Sequence, residues 1–183
     1  MQVASTTRSE FRLTIEAAIE LLNGLDDDDF DVRAVLDRRG FGRAANASEA
    51  SIARIGRRLG ELHPLFAELP DLEADQAAAR INEQLTEVAI APAVVAHDGV
   101  GPHLHWTPAT ATFDEQVVAD ILMAVALEVC DNGTTRFGHC DASTCDDLFY
   151  DSTRNRSRRF CDDPKCASRT HTADHRARRR GAS

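Results

Sequence analysis

Residues 140–166 read CDASTCDDLFYDSTRNRSRRFCDDPKC. Two cysteine pairs, Cys140 with Cys145 and Cys161 with Cys166, each enclose four residues and stand fifteen residues apart. Thiolates in two short-spaced pairs across a medium loop suit a tetrahedral ion, above all zinc. Four sulfurs fill the coordination sphere and leave no position for water or substrate. The spacing therefore points to one structural Zn2+ and away from a hydrolytic centre. Neither pair is Cys-x-x-Cys, which argues against a redox dithiol. His139, His171 and His175 are competing ligands by residue type. Counted from Cys166 along a helix, however, His171 and His175 rotate to the far face, whereas Ala173 and Ala177 share the Cys166 face.

The surrounding residues frame these pairs. Thr134 to Phe137 reads as a short strand entering the first pair, and Leu148, Phe149 and Tyr150 as a second strand leaving it. Asp151 to Ser157 is a polar turn. Asp162 or Asp163 caps a helix with Pro164 at its first position, which places Cys166 in the first turn. A knuckle, a hairpin and a ligand at a helix start outline a treble-clef-like or ribbon-like zinc module. So few large apolar side chains hardly make a core, and metal ligation supplies about 10 kcal/mol to such segments.

Upstream the texture is helical. Phe11, Ile15, Ala18, Ile19 and Leu22 make one face of a helix over Arg8 to Asn23, with Gly24 as its stop. The acid run Asp26 to Asp29 reads as the N-terminal cap of a second helix carrying Phe30, Val32, Val35 and Leu36 and ended by Gly40. Ser48 caps a third helix with Ile52, Ile55, Leu59 and Leu62 inward, interrupted near Pro64. Asp71 to Ala89 reads as a fourth, with Ala78, Ile81, Leu85 and Val88 inward. Pro92 to Pro108 reads as a hairpin turning at Asp98-Gly99, which places His103 and His105 on one side of a strand near His97. These histidines read as ordinary surface groups beside Trp106, the alternative being a metal or small-molecule pocket. Thr112 with Glu115 forms a capping box for a helix through Val117, Ile121, Val125 and Leu127, closed by Asn132-Gly133. Cys130, near the end of that helix, reads as a small core residue. The expected fold is α+β. A mainly helical domain with a short hairpin, residues 1–133, precedes the small zinc module of residues 134–183.

Charge is unevenly spread. The chain carries a formal −9, yet residues 1–133 hold 10 basic and 23 acidic side chains, and residues 134–183 hold 11 and 7. An acidic body with a basic end implies a local anionic partner. Arg154, Arg156, Arg158 and Arg159 fall between the cysteine pairs, and Arg169, Arg176 and Arg180 recur at helical spacing after Cys166. Guanidinium groups match phosphate oxygens, so these seven are the candidate nucleic-acid contacts. No aromatic ladder interleaves them, which favours duplex DNA over single strands. The polar first ten residues carry no secretory signal and the longest apolar stretch is too short to span a bilayer, so the expectation is a cytoplasmic chain with reduced thiols and no membrane partner.

The stretch from Cys140 through Cys161-DDPK-Cys166-ASRTHTADHRARRR resembles the CGNR-type zinc finger of proteins classed as bacterial transcription regulators. The likeness includes the cysteine spacing, the aromatic pair before Asp151, the turn Ser152-Thr153-Arg154-Asn155, Ser157-Arg158-Arg159 and the basic helix. Two positions depart: Ala167 and Ser168 replace the Gly and Asn that name the family, and Phe160 stands for its usual Trp. Ala18-IELLNGL, with Asn23 the best-matched position, is similar to the opening of the ABATE domain that precedes such fingers. The resemblance implies a ligand- or stress-responsive domain joined to a DNA-binding finger; a homodimer formed through the helical domain is a separate expectation. The expected function is transcription regulation through DNA. The alternative is a zinc-built platform for an acidic protein partner in transcription. An enzyme is not expected, because no acid, base or nucleophile constellation is evident.

Overall fold

The computed structural model describes residues 3–96 and 101–181, with side chains described for residues 9–96, 101–172, 178 and 179. Six helices and two hairpins follow one another in the chain. They are α1 (Val3–Gly24), α2 (Val32–Arg38), α3 (Glu49–Glu68), α4 (Ala74–Leu85), β1 (Ala93–Val95), β2 (His103–His105), α5 (Phe113–Asn132), β3 (Phe137–His139), β4 (Leu148–Tyr150) and α6 (Pro164–Gly181).

The centre of the body is α5, which buries Phe113, Val117, Val118, Ile121, Leu122, Val125 and Val129. A helix apolar on most of its circumference must be surrounded. Here α1, α3 and α4 pack around it. They contribute Ile15, Leu21 and Leu22 from α1, Ile55, Leu59, Leu62 and Phe66 from α3, and Ile81 from α4. One buried charge is tied into this packing. Asp114 accepts from Ser51 Oγ at 2.9 Å and from Arg54 Nε and Nη2 at 2.8 Å each. These bonds hold its carboxyl well below the usual range, Arg54 acting most strongly, with burial opposing and Ser51 assisting.

The helix ends follow their capping residues. Ser48 Oγ accepts from the Ser51 amide at 3.2 Å, and Glu115 Oε2 accepts from the Thr112 amide at 2.7 Å. Gly133 closes α5 with a φ of +66°. Elsewhere the structure corrects the sequence expectation. The cap of α2 is Asp31, just beyond the acid run, and its Oδ1 accepts from the Ala34 amide at 3.0 Å. The third helix continues through Pro64 to Glu68. Pro64 and Gly60 both lie on the exposed face, where water reaches the carbonyl that proline leaves without a donor. The fourth helix is shorter than expected; Ile81, Leu85 and Val88 pack inward as expected, but Ala77 is buried in place of Ala78, which is exposed. Cys130 is exposed, not a core residue, because Val129 takes the inward position of that turn.

Both hairpins are antiparallel, with Val94 opposite Leu104 in the first and Gly138 opposite Phe149 in the second. The expected turn at Asp98-Gly99, and His97, lie outside the described residues. The second hairpin begins at Phe137, later than expected, and Phe137, Leu148 and Tyr150 join the helical core. Asn23, in the last turn of α1, binds β4 directly. Its Nδ2 donates to the Leu148 carbonyl and its Oδ1 accepts from the Leu148 amide, both at 2.9 Å. A side-chain amide thus pairs with β4 as a neighbouring strand would. Among the described residues, no helix is long and apolar enough to cross a membrane.

Candidate metal centre

The second hairpin delivers the first two sulfurs. β3 leads into Cys140, whose amide donates to the Asp147 carbonyl at 2.8 Å, and the Cys145 amide donates to the Ala142 carbonyl at 3.0 Å, closing a tight knuckle. The strands approach so closely that a Cβ on Gly138 would meet Phe149 Cζ at 2.4 Å. Only glycine allows the Phe149 ring to lie across β3.

The loop from β4 to the second pair is organised by Asp151, which is 3% exposed. Its Oδ1 accepts from the Thr153 amide at 2.8 Å and the Thr153 hydroxyl at 2.5 Å, and its Oδ2 accepts from the Arg158 amide at 2.7 Å. Burial works against the charged form, but these bonds and the nearby Arg136 outweigh it and hold the carboxyl below its ordinary value. A buried carboxylate that gathers a turn around itself positions the loop, a role that cysteine spacing does not reveal. Its one sequence signal is an Asp followed by Ser-Thr, the pattern of a side-chain-closed turn.

The second pair is joined to the first by backbone and by charge. The Asp141 amide donates to the Arg159 carbonyl at 2.8 Å, and Arg159 Nε donates to Asp141 Oδ2 at 2.8 Å. Asp163 starts α6 as expected: its Oδ1 accepts from the Lys165 amide at 2.8 Å and its carbonyl accepts from the Cys166 amide at 3.0 Å. Cys166 is thereby fixed in the first helical turn. Where the family name would place Gly and Asn, Ala167 is half-buried and the Ser168 hydroxyl donates to the Lys165 carbonyl at 3.1 Å.

These elements bring all four expected sulfurs together, with every Sγ within 4.8 Å of the others. Cys145 and Cys161 are 3.8 Å apart, and Cys161 and Cys166 are 3.7 Å apart. A Zn–S bond of about 2.3 Å implies a tetrahedral edge of about 3.8 Å, so the observed gaps fit one ion. They are far longer than the S–S bond of about 2.05 Å in a disulfide, and all four thiols are free. Burial pushes Cys145 up to about 12 and Cys161 further still. Burial acts the same way on Cys140, but hydrogen bonds from the Cys161 and Ala142 backbones outweigh it and lower that thiol. A divalent cation supplies the charge that makes four clustered thiolates, three buried and that of Cys145 half-buried, compatible with this pocket. The histidines stay out of the cluster: His139 Nε2 donates to the Ala67 carbonyl at 3.0 Å, and the His171 ring stands edge-on to Phe160 at 5.8 Å. The His175 side chain lies outside the described residues.

The arginines separate into two kinds. Arg158 is turned inward: Nε donates to the Phe160 carbonyl at 2.7 Å, Nη2 to Asp162 at 2.6 Å, and the guanidinium lies over the Phe149 ring. Arg156 adopts a φ of +47° and reaches back to α5, donating to Thr135 Oγ1 and Asn132 Oδ1 at 2.8 Å each. Arg159 pairs with Asp141 and lies over Phe160, yet keeps 60% of its side chain exposed. Arg154 and Arg169 are exposed, with no partner among the described residues. The Arg176 and Arg180 side chains fall outside the described residues. Sequence spacing alone does not separate a guanidinium that holds the loop from one that faces solvent.

No curated protein matches the chain. The four sulfurs form a closed site for one structural zinc ion, within a segment, residues 136–179, that matches the CGNR zinc finger family model.

Proposed function

We propose that the protein is a cytoplasmic transcription regulator whose zinc-stabilised C-terminal module contacts DNA phosphate. The observation that carries this reading is a charge reversal joined to exposure. The body is acidic, ten of the last module's eleven basic residues follow Asp151, and Arg154, Arg169 and Arg178 are exposed without a partner among the described residues. The zinc does no chemistry in this reading. It holds the loop of Arg154 beside the start of α6, so that both present guanidinium groups to one polyanion.

A DNA-binding titration across a salt series tests the proposal. Three or more phosphate contacts give a log–log slope steeper than about −2.5. Arg154→Ala and Arg169→Ala should each reduce that slope by about one unit and leave the fold intact. Zinc-loaded protein that binds no DNA at low salt would refute the reading. The engagement of Arg156 and Arg158 with groups of the protein itself favours one alternative, a platform for an acidic protein, because it leaves fewer cations for a phosphate backbone. A partner captured from nuclease-treated lysate and lost on Arg169→Ala would select that alternative.

A further inference from the structure

A second site lies in the body, away from the sulfurs. An open cavity of about 570 Å³ is bounded by the N-terminal half of α1, the loop after α2, β2 and the first turns of α5. Its walls combine aromatic and apolar side chains with charged ones. Phe11 and Trp106 face each other at 6.2 Å between ring centroids, Phe113 adds a third ring, and Leu13 and Leu104, two of the exposed large apolar residues, stand at the rim.

The charges around it are unequally satisfied. Arg39 is held by Glu20 at 2.6 Å and Glu16 at 3.8 Å. Arg43 donates to Gln116 Oε1 at 2.8 Å and lies over the Phe113 ring. His103 and His105 bring their Nε2 atoms to 3.1 Å, which requires one to accept, and His103 Nδ1 donates to the Gly101 carbonyl at 2.9 Å. The two rings therefore carry at most one positive charge between them. The carboxylates differ. Asp120, on α5, and Glu10, on α1, line the cavity with no side-chain hydrogen bond or ion pair among the described residues. Burial of Asp120 pushes its carboxyl up to about 6, the behaviour of a group that water serves poorly and no cation neutralises.

We propose that this cavity binds a small organic cation, an aryl or alkyl ammonium whose charge pairs with Asp120 and whose hydrocarbon packs on Phe11, Trp106 and Phe113. Aromatic faces attract cations as well as apolar carbon. An anion would have to compete with Glu16, Glu20 and Gln116 for the arginines. The volume suits a molecule of drug-like size or smaller. This inference goes beyond DNA contact and does not rest on it, since the site and its assay involve neither the arginines of the C-terminal module nor DNA.

The test is calorimetric titration of the full zinc-loaded chain at pH 7.5, without DNA, using 2-phenylethylammonium, 3-phenylpropionate and 2-phenylethanol. The ammonium should bind at least tenfold more tightly than the anion or the neutral alcohol. Asp120→Asn should weaken it at least tenfold while zinc content and the helical circular dichroism stay unchanged. Trp106→Leu should weaken the ammonium and the alcohol alike. Lowering the pH to 5 should weaken the ammonium, as Asp120 takes up its proton beside the other charged groups of the cavity, Glu10, Arg39, Arg43, His103 and His105. Equal or tighter binding of 3-phenylpropionate overturns the proposal, as does unchanged affinity in Asp120→Asn or no binding of the ammonium at millimolar concentration.

Discussion

Replacing Asn23 by alanine should loosen the join between helical body and zinc module. Asn23 makes two hydrogen bonds of 2.9 Å to one residue, satisfying both backbone groups of Leu148. Leu148 is 3% exposed, so water cannot readily take over. Each bond contributes about 1 kcal/mol net, and each buried group left without a partner costs about 1–3 kcal/mol. The expected loss is therefore about 2–4 kcal/mol, a large share of a typical domain's stability. Urea unfolding followed by circular dichroism, with zinc in slight excess, measures it. Asn23→Asp is the sharper variant. It keeps the acceptor for the Leu148 amide but opposes a carboxylate to the Leu148 carbonyl, so at pH 7 it should also be destabilised. A loss below about 0.5 kcal/mol in Asn23→Ala, or an Asn23→Asp protein as stable as the original at pH 7, would refute the pairing of α1 with β4.

Other perturbations address separate links. Chelation should remove one equivalent of zinc and release four thiols in addition to the exposed Cys130, while Trp106 fluorescence, which reports the body, changes little; two or more equivalents, or none, would contradict the site. Gly138→Ala drives a methyl into the Phe149 ring and should cost about 1–3 kcal/mol by overpacking, with Phe149→Leu in the same chain restoring part of the loss. Asp114→Ala should cost about 2–3 kcal/mol, because Ser51 and Arg54 lose a charged acceptor. Asp114 has a depressed carboxyl in the folded chain, so its stabilising share is full above pH 4 and declines as acid protonates it. Asp120 has the opposite sign. Its carboxyl is raised to about 6, so the folded state binds the extra proton and stability falls as pH rises from about 4 to 6. Asp120→Asn should flatten that segment of the pH–stability profile and add up to about 3 kcal/mol at pH 7.

What the sequence made legible was local. Cysteine spacing reports one ion's geometry, and Ser48, Thr112 with Glu115, and Asn132-Gly133 each act within four residues of themselves. Those readings match the structure because the partner is nearby in the chain. Readings that depend on distant partners fared differently. The buried face of α4 is chosen by α5, so Ala77 replaced Ala78. Pro64 is tolerated because its turn faces water, a fact that only the fold supplies. Arg158 and Arg156 looked like the other arginines of their loop, yet Phe160, Asp162, Thr135 and Asn132 take up their donors. Asp151 shows its importance only once three donors converge on it. The seat of Asn23 against Leu148, 125 residues away, left no periodicity to detect.

The membership of Phe137, Leu148 and Tyr150 in the helical core bears on how the zinc module can be handled. A peptide beginning at Thr134 would bring all three into water together. Each such side chain loses about 1.5–3 kcal/mol of burial, while among the described residues the sulfurs' own small cluster contains only Ala142 and Phe160 besides the cysteines. Excision would thus yield a metal knot with a sticky flank, prone to self-association and a poor stand-in for the native surface. Affinities measured on such a fragment would describe its exposed flank as much as its arginines. The shortest dependable unit for binding work retains α1, α3 and α5.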